Sequence, residues 1–100
     1  MVGEQPVVAV DGAVDLATVP RLRDELLRAV HRWRGRLLVV DLDGVTVLDD
    51  TGLGILLGAA AAARRAGGDL ELVCSTVGLI ERFALTGLDR AIVVRARLTR

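Results

Sequence analysis

A threonine hydroxyl set among carboxylates and glycines is the group in this chain best placed to do chemistry. Thr51 directly follows Asp49 and Asp50, precedes Gly52-Leu53-Gly54, and lies seven residues before Gly58. An apolar run, Leu37 to Leu42, leads toward this stretch, and an alanine-rich apolar segment leaves it. A strand-to-helix turn of that composition puts the Thr51 hydroxyl at a helix start, where backbone N–H groups and the helix dipole favour an added phosphate. Helix capping and dipole compensation explain one of the two neighbouring carboxylates. They leave the hydroxyl and the glycine spacing to another cause.

The glycines admit two explanations. Gly54, Gly58 and Ala62 recur every four residues and make a bare strip along the expected helix. Either the strip lets the helix sit close to its own sheet or a neighbouring helix, or it leaves a flat surface for a partner beside Thr51. Leu53, Leu56, Leu57 and Ala60 form the adjacent apolar stripe and are the expected core face.

Catalytic alternatives find little support. Asp41, Asp43, Asp49 and Asp50 gather at a strand end, where a magnesium site is conceivable. There is no Walker lysine, no Gly-rich phosphate loop after the first strand and no Ser-His-Asp arrangement, and His31 lies in the wrong segment to pair with Thr51. A chain of 100 residues without pocket-building insertions has little to hold a substrate. The expectation is a binding protein, not an enzyme, with neither metal nor cofactor.

Composition narrows the class. The length suits one domain with a modest core, and with only Trp33 and Phe83 aromatic, that core must be Val, Leu, Ile and Ala. Basic and acidic residues balance at 13 each, which argues against a coat for nucleic acid or anionic membrane. Every basic residue is Arg, a trait of genome composition. Cys74 stands alone, so no disulfide framework or thiolate metal site is expected. Met1 to Pro6 lacks the pattern of a signal peptide, and the apolar stretch Gly52 to Ala63 is too short to span a bilayer. A cytoplasmic domain is expected.

The elements that must position Thr51 alternate along the chain. Val7 to Val10 reads as a strand closed by an Asp11-Gly12 turn, and Ala13 to Leu16 resumes briefly. Thr18 is a candidate N-cap for a helix with Pro20 in its first turn and Asp24 and Glu25 toward its positive end. Val19, Leu22, Leu26, Ala29, Val30 and Trp33 fall on one face. Arg28, Arg32 and Arg34 suit its negative end, and Gly35 stops it. Arg36 to Leu42 is the strongest strand, apolar on both faces as a central strand covered on both sides, or flanked by other buried elements, would be. Asp43-Gly44 turns, Val45 to Leu48 crosses over, and a helix runs from about Thr51 to Arg65, stopping at Gly67-Gly68. Asp69 to Cys74 is the next strand. Ser75 or Thr76 caps a third helix turning Val77, Ile80, Phe83 and Ala84 inward and ending near Gly87. Ala91 to Val94 is the last strand. Such alternation predicts an α/β fold with right-handed crossovers and a largely parallel sheet.

The stretch Leu48-Asp49-Asp50-Thr51-Gly52-Leu53-Gly54 resembles the phosphorylation-site motif of the bacterial anti-sigma factor antagonists of the STAS-domain family. That motif is an apolar residue, Asp, a small polar residue, Ser or Thr, then Gly-Leu-Gly or a close variant. Asp11-Gly12-Ala13-Val14-Asp15 is similar to the family's early Gly-Glu-Leu-Asp-type segment. Ala66 to Val73 resembles its helix stop and following strand, and Leu79 to Leu88 its third helix. The resemblance covers about positions 7 to 95. It implies a single STAS-type domain over 1–100, with four to five strands in a mostly parallel, mixed sheet and three to four helices.

For function, the resemblance implies an anti-sigma factor antagonist. Unphosphorylated, it would bind an anti-sigma factor, a serine/threonine kinase of the ATP-binding, histidine-kinase-like type, and so free a sigma factor. Phosphorylation at Thr51 would block binding and a protein phosphatase would restore it. Carried over position by position, Thr51 is the phosphosite, and Asp15, Asp49, Asp50, Thr51, Gly52, Gly54 and Gly58 make the partner surface, with nucleic acid and membrane uninvolved. Position 50 carries Asp where many members have Ser, adding charge beside the site. The segment before Val7 is short, which implies an abbreviated leading strand. The end at Arg100 implies a final helix lost or reduced, and with it apolar surface that favours a homodimer. STAS-like domains also serve transporters or large signalling assemblies without a kinase, which is the alternative.

Overall fold

The computed structural model describes residues 5–96, so the expectations about the leading strand and the final helix lie largely outside the described residues. The elements are β1 (Val7–Val14), α1 (Val19–Arg32), β2 (Leu37–Leu48), α2 (Asp50–Arg65), β3 (Asp69–Val73), α3 (Val77–Thr86), α4 (Leu88–Ala91) and β4 (Val93–Arg95). The sheet order is β1-β2-β3-β4, and every ladder is parallel. The expected α/β fold stands, with no antiparallel ladder among the described residues.

This order settles where the helices go. Each strand is added on the same side of the one before, and a right-handed crossover then returns every helix to the same face. That face carries Leu38, Val40, Leu42, Leu70 and Leu72, none more than 1% exposed. Leu22, Leu26 and Val30 of α1 and Leu53, Leu56, Ala59, Ala60 and Ala63 of α2 cover it, and Phe83 and Leu88 close the same core. The alternate residues Leu37, Val39 and Asp41 are only half-buried. Double-sided coverage of Leu37 to Leu42 is therefore corrected, and the strand is instead flanked by β1 and β3: winding in one direction leaves the second face without a helix among the described residues.

Two expected turns prove to be internal to strands. Asp11-Gly12 and Asp43-Gly44 lie side by side where β1 and β2 pair, Asp11 opposite Gly44, with irregular register on either side. Gly12 takes φ +81°, and a Cβ on Gly44 would sit 2.0 Å from Asp11 Oδ1. Turn residues facing one another across a ladder make a local irregularity that both strands survive. Hence β1 runs on to Val14, and Val45 to Leu48 is strand, not crossing loop.

Helix phases also differ from expectation. Leu57 is 40% exposed, while Ala59 and Ala63 join the core face of α2. On α3 only Phe83 is buried. Val77 and Ile80 are 68% and 39% exposed, and Ala84 is exposed, so these three do not face inward. Leu79, half-buried four residues before Phe83, takes the inward place. Gly87, with φ +80°, ends α3 in the left-handed conformation. Ala91 falls in the one-turn α4, so the last strand begins at Val93.

Candidate functional site

The site forms where β1 and β2 end and α1 and α2 begin. Asp49 is the N-cap of α2, with extended backbone and its Oδ1 accepting the Gly52 N–H at 3.1 Å. Thr51, exposed on the first turn, donates its hydroxyl to the same Oδ1 at 2.5 Å. The Thr51 hydrogen bond, then the Gly52 N–H, hold the Asp49 carboxyl below the usual carboxylate range. Asp49 is thus an ionised orienting group for the hydroxyl and a weak base.

Asp15 shapes the neighbouring turn. Its Oδ1 accepts the N–H groups of Ala17 and Thr18 at 3.0 and 3.2 Å. Thr18 sits at the N-cap position of α1, yet its side chain does not cap the helix. It donates instead to the Ala13 carbonyl at 2.9 Å and accepts the Asp15 N–H at 3.0 Å. The two turns dock together because the Asp49 N–H donates to the Val14 carbonyl at 3.1 Å.

The glycines divide. Gly52 is buried, and a Cβ there would come within 2.5 Å of Leu48 Cδ1 and 2.8 Å of Val14 Cγ1. It lets the start of α2 rest directly on both strand ends. Gly54 and Gly58 are exposed, and a Cβ on either would meet nothing within 4 Å. They border a hollow of about 390 Å³ between α1 and α2, walled by Leu26, Leu27 and Ile55 and flanked by Arg23 and Arg65.

Asp50 makes no hydrogen bond to Thr51 and is paired instead across the chain. Its side chain, 91% exposed, pairs with Arg82 of α3 at 2.5 Å, a surface contact worth no more than about 1 kcal/mol. Asp43 accepts the Ser75 N–H at 2.6 Å and Asp41 accepts the Asp43 N–H at 2.9 Å, so this pair organises chain turns. Among the described residues no group of three or more His, Cys, Asp or Glu is placed to hold a metal, and no helix is long and apolar enough to cross a membrane. Sequence reasoning missed Arg82, which has no motif, and Leu16, 74% exposed beside Asp15.

The arrangement presents one exposed hydroxyl, oriented by Asp49, at the start of α2. Residues 1–95 match the family described as Mlab, STAS domain, and the chain belongs to the STAS domain family. It is 32% identical over 90 residues to the anti-sigma-B factor antagonist of Bacillus subtilis (strain 168), spanning 90% of this chain and 81% of that protein. The anti-sigma-B factor antagonist of Listeria monocytogenes is 32% identical over 88 residues, spanning 88% of this chain and 76% of that protein. The crystal structure of an anti-sigma factor antagonist from Mycobacterium paratuberculosis superposes with a TM-score of 0.82 at 29% identity, covering 92% of this chain and 77% of that one. The anti-sigma factor antagonist SpoIIAA in its unphosphorylated form shares the fold, with a TM-score of 0.76 at 18% identity, covering 98% of this chain and 84% of that one.

Proposed function

We propose that this protein is an anti-sigma factor antagonist that binds an anti-sigma factor through the Thr51 end of the domain and is released by phosphorylation of Thr51. The carrying observation is the exposed Thr51 hydroxyl, held by Asp49 at the first turn of α2. Its kinship with anti-sigma-B factor antagonists supports the choice of partner. On this reading the protein regulates by binding and acts within the cytoplasm.

The chemistry is local. The anti-sigma factor, acting as a serine/threonine kinase, transfers the γ-phosphoryl group of ATP to the Thr51 oxygen. The hydroxyl proton leaves to a base supplied by that kinase, because Asp49 is too weak a base. The ester removes the donor that Asp49 accepts and adds nearly two negative charges beside the Asp49 carboxylate. The start of α2 offsets only a fraction of that charge, about 0.3–1 kcal/mol. Arg82 is already paired with Asp50, so a partner packed over the turn meets the added charge, and the contact is lost until a protein phosphatase removes the phosphate. Asp15, Gly54 and Gly58 border the same surface, while Gly52 acts from beneath by seating the turn.

The test is incubation with ATP and the anti-sigma kinases of the source genome, with mass spectrometry for the site and affinity measurements on variants. Thr51→Ala should bind and resist phosphorylation; Thr51→Glu should bind at least tenfold more weakly, a loss of about 1.4 kcal/mol. Equal affinity for wild type and both variants sinks the switch and favours a STAS module serving a transporter or assembly. Phosphate on Thr46, Ser75 or Thr76 moves the site.

A further inference from the structure

The end of the domain remote from Thr51 is strongly basic. The two longest helices, α1 and α2, finish there together: a Cβ on Gly35 would lie 3.9 Å from the Ala66 carbonyl, and the Asp69 N–H donates to the Arg36 carbonyl at 3.2 Å. Arg28, Arg32, Arg34 and Arg65 are all exposed there. Among the described residues none of these four lies within ion-pair distance of a carboxylate. The nearby carboxylates are otherwise engaged, Asp69 by Arg64 at 2.8 Å and Asp24 by Arg23 at 3.9 Å.

Helix-end compensation is too small to explain this. Each helix C-terminus carries about half a negative charge, so two ends call for about one cation where four stand. Trp33 gives the patch a fixed centre. The guanidinium of Arg32 lies over its ring at 5.1 Å and that of Arg36 at 5.4 Å. A surface hollow of about 650 Å³ adjoins it, lined by Arg28, His31, Arg32 and Trp33 together with Asp24 and the apolar Leu27 and Ala29.

We propose that this end is a second docking surface, for an acidic segment of a protein. Arginine presents rigid, weakly hydrated forks that match carboxylates two at a time. Nucleic acid fits less well, because single-strand binding needs aromatic faces on which bases stack. The chain's other aromatic residue, Phe83, is buried, and Trp33 is already flanked by guanidiniums. With α1 14 residues long, the patch lies about 20 Å from the Thr51 turn. Binding there is independent of the phosphorylation state and of the reading given to Thr51.

The experiment is fluorescence anisotropy with a labelled ten-residue Asp/Glu peptide and a single-stranded DNA of equal charge. Wild type should bind the peptide saturably, more tightly than the DNA, and more weakly as salt rises. Arg28→Glu/Arg34→Glu should weaken binding at least tenfold and Arg28→Gln/Arg34→Gln several-fold, each with a melting curve to show a folded domain. Thr51→Glu should leave it unchanged. Absence of saturable peptide binding, equal or tighter DNA binding, or retention of affinity by both folded double variants overturns the proposal.

Discussion

The two ends of this domain carry opposite charge and handle it differently. At the Thr51 end the carboxylates of Asp15 and Asp49 accept backbone N–H groups of their own turns, Asp43 accepts the Ser75 N–H from the loop after β3, and Asp50 reaches an arginine. At the far end Arg28, Arg32, Arg34 and Arg65 meet no carboxylate among the described residues. Short acidic side chains such as Asp15 and Asp49 fold back on the turns that carry them, whereas Arg28, Arg34 and Arg65 stay exposed and Arg32 lies over Trp33. Charge at the first end therefore builds local structure. Charge at the second is left for something outside.

Substitutions can break that contrast, the largest effect first. Gly52→Ala should destabilise the fold by about 1–3 kcal/mol in chemical denaturation, because a methyl group cannot fit between Val14 and Leu48 without displacing them. Gly54→Ala, on the open side of the same turn, should instead stabilise it by up to about 1 kcal/mol as a helix interior loses a glycine. If Gly54 borders the partner surface, that gain comes with weaker anti-sigma factor binding. Were both substitutions to destabilise alike, the division between seating and surface glycines would fail.

Asp49→Asn should have a smaller effect, concentrated in acid. The Asp49 carboxyl is held below its ordinary value, first by the Thr51 hydrogen bond and then by the Gly52 N–H. A depressed folded value means stability present above the unfolded value, about pH 4 for aspartate, and lost as pH falls through the folded one. Wild type should lose melting temperature more steeply than Asp49→Asn below about pH 4. Parallel curves would remove Asp49 from the cap. The smallest effect belongs to the basic end: Arg28→Gln and Arg34→Gln should each stay within about 0.5 kcal/mol of wild type. A larger loss would make those arginines part of the scaffold and erase the difference between the two ends.

Sequence alone determined the alternation of strands and helices, the helix starts near Thr18, Thr51 and Thr76, the stops at Gly35, Gly67 and Gly87, and the family. These follow from residues close together in the chain: caps, breakers, a 3.6-residue period and a contiguous motif. The tertiary structure decided what depends on neighbours from elsewhere. Leu56 is buried and Leu57 is 40% exposed because one direction of winding puts a single helix layer on the sheet. Asp11-Gly12 and Asp43-Gly44 stay within strands because each lies opposite the other. Gly52 and Gly54 are two residues apart, yet only Gly52 has Val14 and Leu48 against it. Arg82 meets Asp50 across 32 positions. Local pattern names the elements; which side chain is covered, crowded or paired depends on surfaces brought together from distant parts of the chain.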